Sequence, residues 1–183
     1  MDNAKYVVDT SVCIRRSHQE EYEEEAFPMH WKNFDSLVKE GVIISIDKVK
    51  DELIFKGDSF FLNWTKENEH MFYPNFDPET TPCLTRLSSR FPEWYNKNQD
   101  KADYYIIAFA KVKGLTLVTQ EKMNFNSPNE KNYKIPTVCH RIGAKCIMKD
   151  WEFEYDETIV YDFECISFNE LVKRERLYDH NLF

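Results

Sequence analysis

Four acidic residues stand where buried elements of the chain begin or end. Asp9 closes one run of apolar residues, and Glu121 follows another. Glu52 lies in a helical pattern, and Asp103 directly precedes the most apolar helical run of the chain. Carboxylates gathered at one edge of a sheet repel each other unless a cation neutralises them. Without a Cys or His cluster, the fitting cation is oxygen-seeking, Mg²⁺ or Mn²⁺, and such ions orient and polarise phosphate esters.

Each acid also has a purely structural interpretation. Asp9 precedes a helix start that it could cap, and Asp103 stands where the helix dipole favours any acid. Glu52 is half of an acidic pair on a helix surface, and Glu121 is a loop charge beside Lys122. Their joint placement along the chain favours the functional interpretation over four separate structural ones.

Hydrophobic periodicity predicts the elements that would hold these acids. Apolar runs predict strands over 5–9, 42–46, 115–119 and 145–148. Helical spacing predicts helices over 30–40, 48–55, 59–70, 80–97, 100–113 and 135–142. The alternation of strand and helix predicts an α/β fold in which helices cover both faces of a parallel sheet. Ligands of such sheets bind at the carboxyl ends of the strands, where the four acids are expected.

The last part of the chain has a different pattern. Apolar and polar residues alternate in two short stretches, which predicts an antiparallel hairpin with one solvated face. Its apolar positions are Trp151, Phe153, Tyr155, Ile159, Tyr161 and Phe163. Ser167 and Glu170 form a capping-box pattern that predicts a final helix to about Tyr178. We expect a domain over 1–149 and an acidic extension over 150–183 that packs on it, most simply by extending the edge of the sheet.

Composition and charge exclude several classes of protein. The net charge is −8, and residues 150–183 contribute ten acidic and only three basic side chains to it. Such a balance disfavours loose, charge-driven binding of nucleic acid but not an enzyme with acidic metal ligands. Four glycines leave little for a glycine-rich phosphate loop, and no apolar stretch approaches the ~20 residues of a membrane span. Five scattered cysteines predict buried, reduced thiols, and we expect a cytoplasmic protein.

The motifs around the four acids resemble those of the PIN-domain nucleases, in particular an uncharacterised prokaryotic VapC-like branch. The resemblance covers about residues 4–148. It is carried by V-V-D-T-S at 7–11, D-E-L at 51–53, A-D at 102–103 and L-V-T-Q-E at 117–121. The fourth acid of that family is commonly Asp, and here it is Glu121.

This resemblance implies a three-layer α/β/α sandwich and a metal-dependent ribonuclease that hydrolyses RNA phosphodiester bonds. It implies that Asp9 and Asp103 hold a first Mg²⁺ or Mn²⁺ and that Glu52 binds this ion directly or through water. Glu121 would help to hold a second ion or orient a water. Supporting hydroxyls are implied at Thr10, Ser11 and Thr119. The expected partners are an RNA substrate, an antitoxin protein if the chain is a toxin, and a second copy of the chain.

The basic side chains nearest in sequence to these motifs are the candidates for phosphate contact, and solvated surface charge is the alternative for each. They are Arg15, Arg16, Lys48 and Lys50.

Two other functions are weighed against the nuclease. A binding or regulatory module on the same fold, with weak or no catalysis, would also keep the fold and many of these residues. A small phosphatase needs a nucleophilic Asp, usually in a D-x-D motif, whereas Asp9 is followed by Thr10 and Ser11. The presence of all four acids favours the nuclease.

Overall fold

Six short strands form one sheet at the centre of the computed structural model, which describes residues 1–17, 22–56, 59–149, 155 and 158–179. The strands are β1 (Tyr6–Val8), β2 (Ile43–Ile46), β3 (Phe72–Tyr73), β4 (Thr116–Thr119), β5 (Lys145–Ile147) and β6 (Glu164–Ser167). Their order across the sheet is β3-β2-β1-β4-β6-β5, and every pair is parallel. The predicted parallel sheet is therefore confirmed.

Nine α-helices of the described residues flank this sheet in a three-layer α/β/α sandwich. They are α1 (Thr10–Cys13), α2 (Pro28–Lys39), α3 (Asp47–Lys56), α4 (Ser59–Glu67), α5 (Thr81–Arg90), α6 (Pro92–Asn98), α7 (Ala102–Lys113), α8 (Ile135–Arg141) and α9 (Phe168–Arg174). Three 3₁₀ turns span Ile14–Arg16, Glu69–Met71 and Glu130–Asn132. Within the described ranges, no helix combines the length and the apolar character needed to cross a bilayer.

The two helical layers are held by apolar side chains of different helices. Trp31 of α2 stacks on Phe168 of α9, with ring centroids 5.2 Å apart, so these helices share one layer. In the other layer, α7 packs against α3, α5, α6 and α8. Helix α7 is apolar around most of its circumference because it is covered on nearly all sides. It ends at Gly114, whose φ of 64° is the left-handed conformation that suits glycine.

The helical character predicted for the interval 80–97 is confirmed. It is divided between two helices, α5 and α6, which are separated at Phe91. Phe91 has φ −131° and ψ 66°, outside the helical region. The break follows from Pro92, because proline disfavours the helical conformation in the residue before it.

The predicted hairpin is wrong where the structure describes it. Positions 151–154, 156 and 157 lie outside the described residues. Residues 158–163 form no strand, and Val160 is 94% exposed. The strand of this region is β6, which is parallel and lies between β4 and β5 rather than at an edge. Ser167 does start the final helix, since its side chain accepts a hydrogen bond from Glu170 N.

Three buried thiols lie close together where β5, β6 and α8 pack, and we call Cys139, Cys146 and Cys165 the thiol cluster. Cys146 and Cys165 are directly opposite each other in the β5–β6 pair. Cys83 is only half-buried. The prediction of buried cysteines is thus confirmed for four of the five, since Cys13 is buried too.

Candidate active site

The four predicted acids converge at the carboxyl edge of the sheet, and we call Asp9, Glu52, Asp103 and Glu121 the carboxylate cluster. Strands β1 and β4 are neighbours, with Val8 paired to Val118, so the chain leaves the sheet at adjacent points. Asp9 follows β1, Glu121 follows β4, and helices α3 and α7 bring the other two acids. Each of the other three charges raises the pKa of Asp103, which places all four within electrostatic reach of one another.

Asp9 is buried, with 3% of its surface exposed, and one of its oxygens accepts several hydrogen bonds. Oδ2 accepts from Ser11 N at 3.3 Å, from Ser11 Oγ at 2.5 Å and from Thr119 Oγ1 at 3.1 Å. The other oxygen, Oδ1, accepts none from the described residues. Asp9 therefore caps α1, as its structural interpretation predicts, and still keeps one oxygen for a ligand.

The hydroxyls predicted to support Asp9 also fix the loop that carries the fourth acid. Ser11 Oγ accepts a hydrogen bond from Gln120 N at 2.9 Å. Thr119 Oγ1 accepts one from Glu121 N at 3.1 Å. The same two side chains thus orient the Asp9 carboxylate and the backbone after β4.

Glu52 joins α1 to the start of α7. Its Oε2 accepts a hydrogen bond from Thr10 Oγ1 at 2.6 Å, and its Oε1 accepts one from Ala102 N at 2.9 Å. Ala102 is the first residue of α7, so Glu52 satisfies a backbone N–H that the helix itself leaves unpaired. This contact also fixes the neighbouring Asp103 relative to the other acids.

Asp103 has few polar contacts. It is half-buried in the first turn of α7, and its carboxylate accepts no hydrogen bond from the described residues. Burial raises its pKa to about 7, and the charges of Asp9, Glu121 and Glu52 add to the effect. A carboxylate so weakly solvated gains strongly from a cation beside it.

The pKa of Asp9 is raised as well, to about 6. Burial is the largest cause, and the charges of Glu121 and Glu52 contribute, while the hydrogen bonds from Ser11 oppose the shift. The raised pKa values of Asp9 and Asp103 thus reflect burial first and the negative charge of the neighbouring acids second.

Glu121 differs from the other three because it already has a cationic partner. Its Oε1 accepts a hydrogen bond from Lys134 Nζ at 2.8 Å, and its Oε2 accepts one from Ile135 N at 2.8 Å. It therefore closes the loop between β4 and α8 and caps the start of α8.

The donor set fits a hard divalent cation in its chemistry. It consists of carboxylate oxygens, two of them on residues that accept little or no compensating charge from the chain. As the side chains stand, no three Asp, Glu, His or Cys side chains of the described residues form a complete ligand group for one ion. Glu52 and Glu121 each point both carboxylate oxygens at donors of the protein. Asp9 and Asp103 are the residues that would hold an ion.

A groove of about 810 Å³ opens beside three of the four acids, Glu52, Asp103 and Glu121. Six lysines line it: Lys48, Lys56, Lys97, Lys101, Lys131 and Lys134. Phe55 also lines it and is 92% exposed, although most large apolar side chains of the chain are buried. Asp51, Asp100 and the three cluster acids line it as well, so its lysines outnumber its acids by one. Lysines and an exposed aromatic ring beside a carboxylate cluster suit a ligand with phosphates and flat bases.

The predicted basic residues are only partly brought to this groove. Lys48 lines it, and Arg15 lines a smaller cavity beside Glu121. Arg16 is buried instead and forms ion pairs with Glu24 and Asp35. Its guanidinium also lies over the ring of Trp31, so it stabilises the fold and is not a phosphate contact.

Lys50 is the second predicted phosphate contact that the structure does not support, because its ammonium is paired with Glu69. Sequence reasoning missed Lys56 at the end of α3, and it missed Lys97, Lys101, Lys131 and Lys134. Each of the last four stands a few residues before, or directly before, the start of α7 or α8. The start of α7 contains Asp103, and the start of α8 is capped by Glu121. That proximity is the signal that could have found these four lysines.

A protein-family model described as a domain of unknown function (DUF4411) matches residues 6–156. No curated protein and no solved structure matches the chain.

Proposed function

Since the chain belongs to the DUF4411 family, whose description assigns no activity, we propose a function from its site: a Mg²⁺- or Mn²⁺-dependent endoribonuclease. The observation that carries this proposal is the pair Asp9 and Asp103. Both are poorly solvated, both have raised pKa values, and they share one edge of the sheet. The adjoining groove, which six lysines line, suits the phosphodiester backbone of RNA. The resemblance of the motifs to the PIN-domain nucleases supports the same activity.

The roles of the residues follow from their contacts. Asp9 and Asp103 would hold the ion, and Ser11 and Thr119 keep the Asp9 carboxylate in place. Glu52 fixes the start of α7 and adds negative charge beside Asp9 and Asp103. When bound, a divalent cation polarises a phosphodiester and activates water as the nucleophile, so no side chain has to attack.

The lysines of the groove bind the phosphates on either side of the bond that is cut. Such contacts position the strand without reading its bases. These lysines supply the local positive charge with which a chain of net charge −8 would bind an anionic substrate.

We further propose the biological setting that the resemblance to VapC-like proteins supports. In this setting the protein acts in the cytoplasm as the toxin of a toxin–antitoxin pair, and its partners are an antitoxin protein and a second copy of the chain. Co-purification of the protein with the product of an adjacent gene tests the antitoxin. The mass of the purified protein in solution tests the homodimer.

A catalytically weak binding or regulatory module is the second candidate. It is favoured by Glu52 and Glu121, whose carboxylate oxygens all accept hydrogen bonds from the protein. Such a module would bind RNA in the groove without a complete ligand set for hydrolysis.

Cleavage of labelled RNA in Mn²⁺ tests the proposed activity. Asp103→Asn should lower the rate by about 10²–10³-fold, the loss expected when one charged group at a reacting centre is removed. Asp51→Asn is the matched control, because Asp51 lines the same groove and is exposed. We expect it to leave the rate within about threefold of wild type, since an exposed charge is strongly screened.

The outcomes separate the two candidates. Cleavage that requires Mn²⁺ and Asp103 supports the nuclease. RNA binding that depends on the groove lysines, without cleavage in Mg²⁺ or Mn²⁺, supports the binding module instead. Equal cleavage by wild type and Asp103→Asn would show that any observed nuclease is a contaminant.

A further inference from the structure

Glu121, the fourth member of the carboxylate cluster, is engaged by the chain itself at both oxygens. Lys134 Nζ donates to Oε1 and Ile135 N donates to Oε2, each at 2.8 Å. Only 17% of the Glu121 side chain is exposed, so little water competes for these contacts. An ion that approached Glu121 would have to displace an ammonium group or break a helix cap.

The backbone on both sides of this ion pair is fixed. Thr119 accepts a hydrogen bond from Glu121 N, which holds the carboxylate beside Asp9. Lys134 has an extended backbone and directly precedes α8. Asn124 Oδ1 accepts a hydrogen bond from Lys134 N at 3.0 Å. The loop therefore fixes the backbone from which the Lys134 side chain, which is 52% exposed, reaches Glu121.

The positive charge of Lys134 acts on the whole cluster. The pKa of Lys134 is raised mainly by its hydrogen bond to Glu121, and the charges of Asp103 and Asp9 add to the effect. The ammonium thus lies where the negative potential of several carboxylates overlaps, which is where a second cation would otherwise be attracted.

We propose that the Lys134 ammonium is the resident second cation of this site, so that the protein binds one divalent ion and not two. The inference rests on the proposed function in one respect, that Asp9 and Asp103 hold a metal ion. A substrate phosphate then meets one divalent ion and one fixed ammonium. Lys134 acts as a positioning residue for Glu121 and as a permanent charge beside the reaction.

The number of Mn²⁺ ions bound by the purified full-length protein tests this proposal without any RNA. Electron paramagnetic resonance of free Mn²⁺ during a titration gives that number. Wild type should bind one ion, and Lys134→Met should bind two, because Glu121 Oε1 and the uncompensated charge then attract a second. Lys134→Arg, which keeps the charge, should bind one.

Two control variants make the result specific. Lys131→Met removes an exposed lysine from the same groove that does not pair with Glu121, and it should still bind one ion. Glu121→Gln should also bind one ion, with lower affinity because the cluster loses a negative charge, since Asp9 and Asp103 remain to hold that ion. Circular dichroism checks that every variant is folded.

Several results would overturn the proposal. Two ions on wild type, one ion on folded Lys134→Met, or loss of the single ion in Glu121→Gln would each do so. Wild type that binds no Mn²⁺ overturns this proposal and the metal-dependent nuclease together. If the ion number changes from one to two in Lys134→Met but no RNA is cleaved, the nuclease proposal alone fails.

Discussion

Two clusters of titratable side chains lie on the same sheet, and they have opposite characters. The thiol cluster is enclosed where β5, β6 and α8 pack, and its members have almost no exposed surface. The carboxylate cluster lies at the carboxyl ends of β1 and β4, and three of its members line a groove. Burial raises pKa values in both clusters, so a perturbed pKa alone does not distinguish a chemical site from a packed one.

The two clusters differ in the groups that surround them, and these groups decide which cluster can take part in chemistry. Burial raises the pKa of Cys139, and a hydrogen bond with Cys165 is the largest cause that raises the pKa of Cys146. The Cys146 thiol also lies 3.5 Å from Pro136 O. Protonated thiols are weak nucleophiles and poor metal ligands, so this cluster acts as small apolar packing. The carboxylates, in contrast, are held by hydroxyls and helix starts, and all of them except the buried Asp9 line the groove.

A substitution in the enclosed cluster should have the largest effect on stability. Cys165→Ser places a hydroxyl with few partners among apolar neighbours, and we expect it to lower the free energy of unfolding by about 2 kcal/mol. Chemical denaturation measures this change. Cys83→Ser is the control, with an expected change within about 0.5 kcal/mol because Cys83 is half-buried at the surface. If Cys165→Ser and Cys83→Ser lower the free energy of unfolding equally, the thiol cluster is no more sensitive to a polar group than the half-buried site of Cys83.

In the carboxylate cluster, in contrast, we expect a substitution to raise the free energy of unfolding. Asp103→Asn removes one of four mutually repelling charges, so in a chelator it should raise the free energy of unfolding by about 1 kcal/mol. The same denaturation experiment measures the gain, with Asp51→Asn as the neutral control. A loss of stability in Asp103→Asn would assign Asp103 a structural role in the first turn of α7.

The smallest effect is the dependence of this gain on pH. The pKa values of Asp9 and Asp103 in the folded protein, about 6 and about 7, lie above the ordinary value of 3.8. Between pH 3.8 and about 7 the folded state therefore keeps protons that the unfolded chain has released. Stability must fall as pH rises through this window, and the fall ends above the folded pKa values.

The melting temperature of wild type without metal should therefore decrease across this window relative to that of Asp103→Asn. A difference of about 2–4 °C is expected for each kcal/mol in a chain of this size. Saturating Mn²⁺ should remove most of the difference, because the ion replaces the protons. Parallel melting curves for the two proteins at every pH would contradict the raised pKa of Asp103.

The sequence predicts the positions of the four acids well because each is tied to a local signal. Asp9 follows a buried strand, and Asp103 opens the most apolar helix. The pairing of Lys134 with Glu121 has no such signal, because it depends on how a loop of more than ten residues closes. Distance along the chain does not reveal which lysine returns to the site.

Strand β6 escaped prediction for a different physical reason. Three of its four residues are buried between two neighbouring strands, so it lacks the alternation that marks a strand with one solvated face. The preceding residues, which do alternate, form no strand in 158–163. The break at Phe91 was accessible in principle, since Pro92 disfavours a helical residue before it.

The interior position of β6 has a consequence for the order of events during synthesis. β6 emerges from the ribosome after β1 to β5, yet it lies between β4 and β5 and pairs with both. Until residues 164–167 emerge, β4 has one unpaired edge and β5 has no neighbour. Closing such a sheet requires contacts between distant parts of the chain, which form slowly and late. The strands that carry Asp9 and Glu121 can pair before this point, but the β5–β6 pair on which α8 packs is complete only after translation has passed β6.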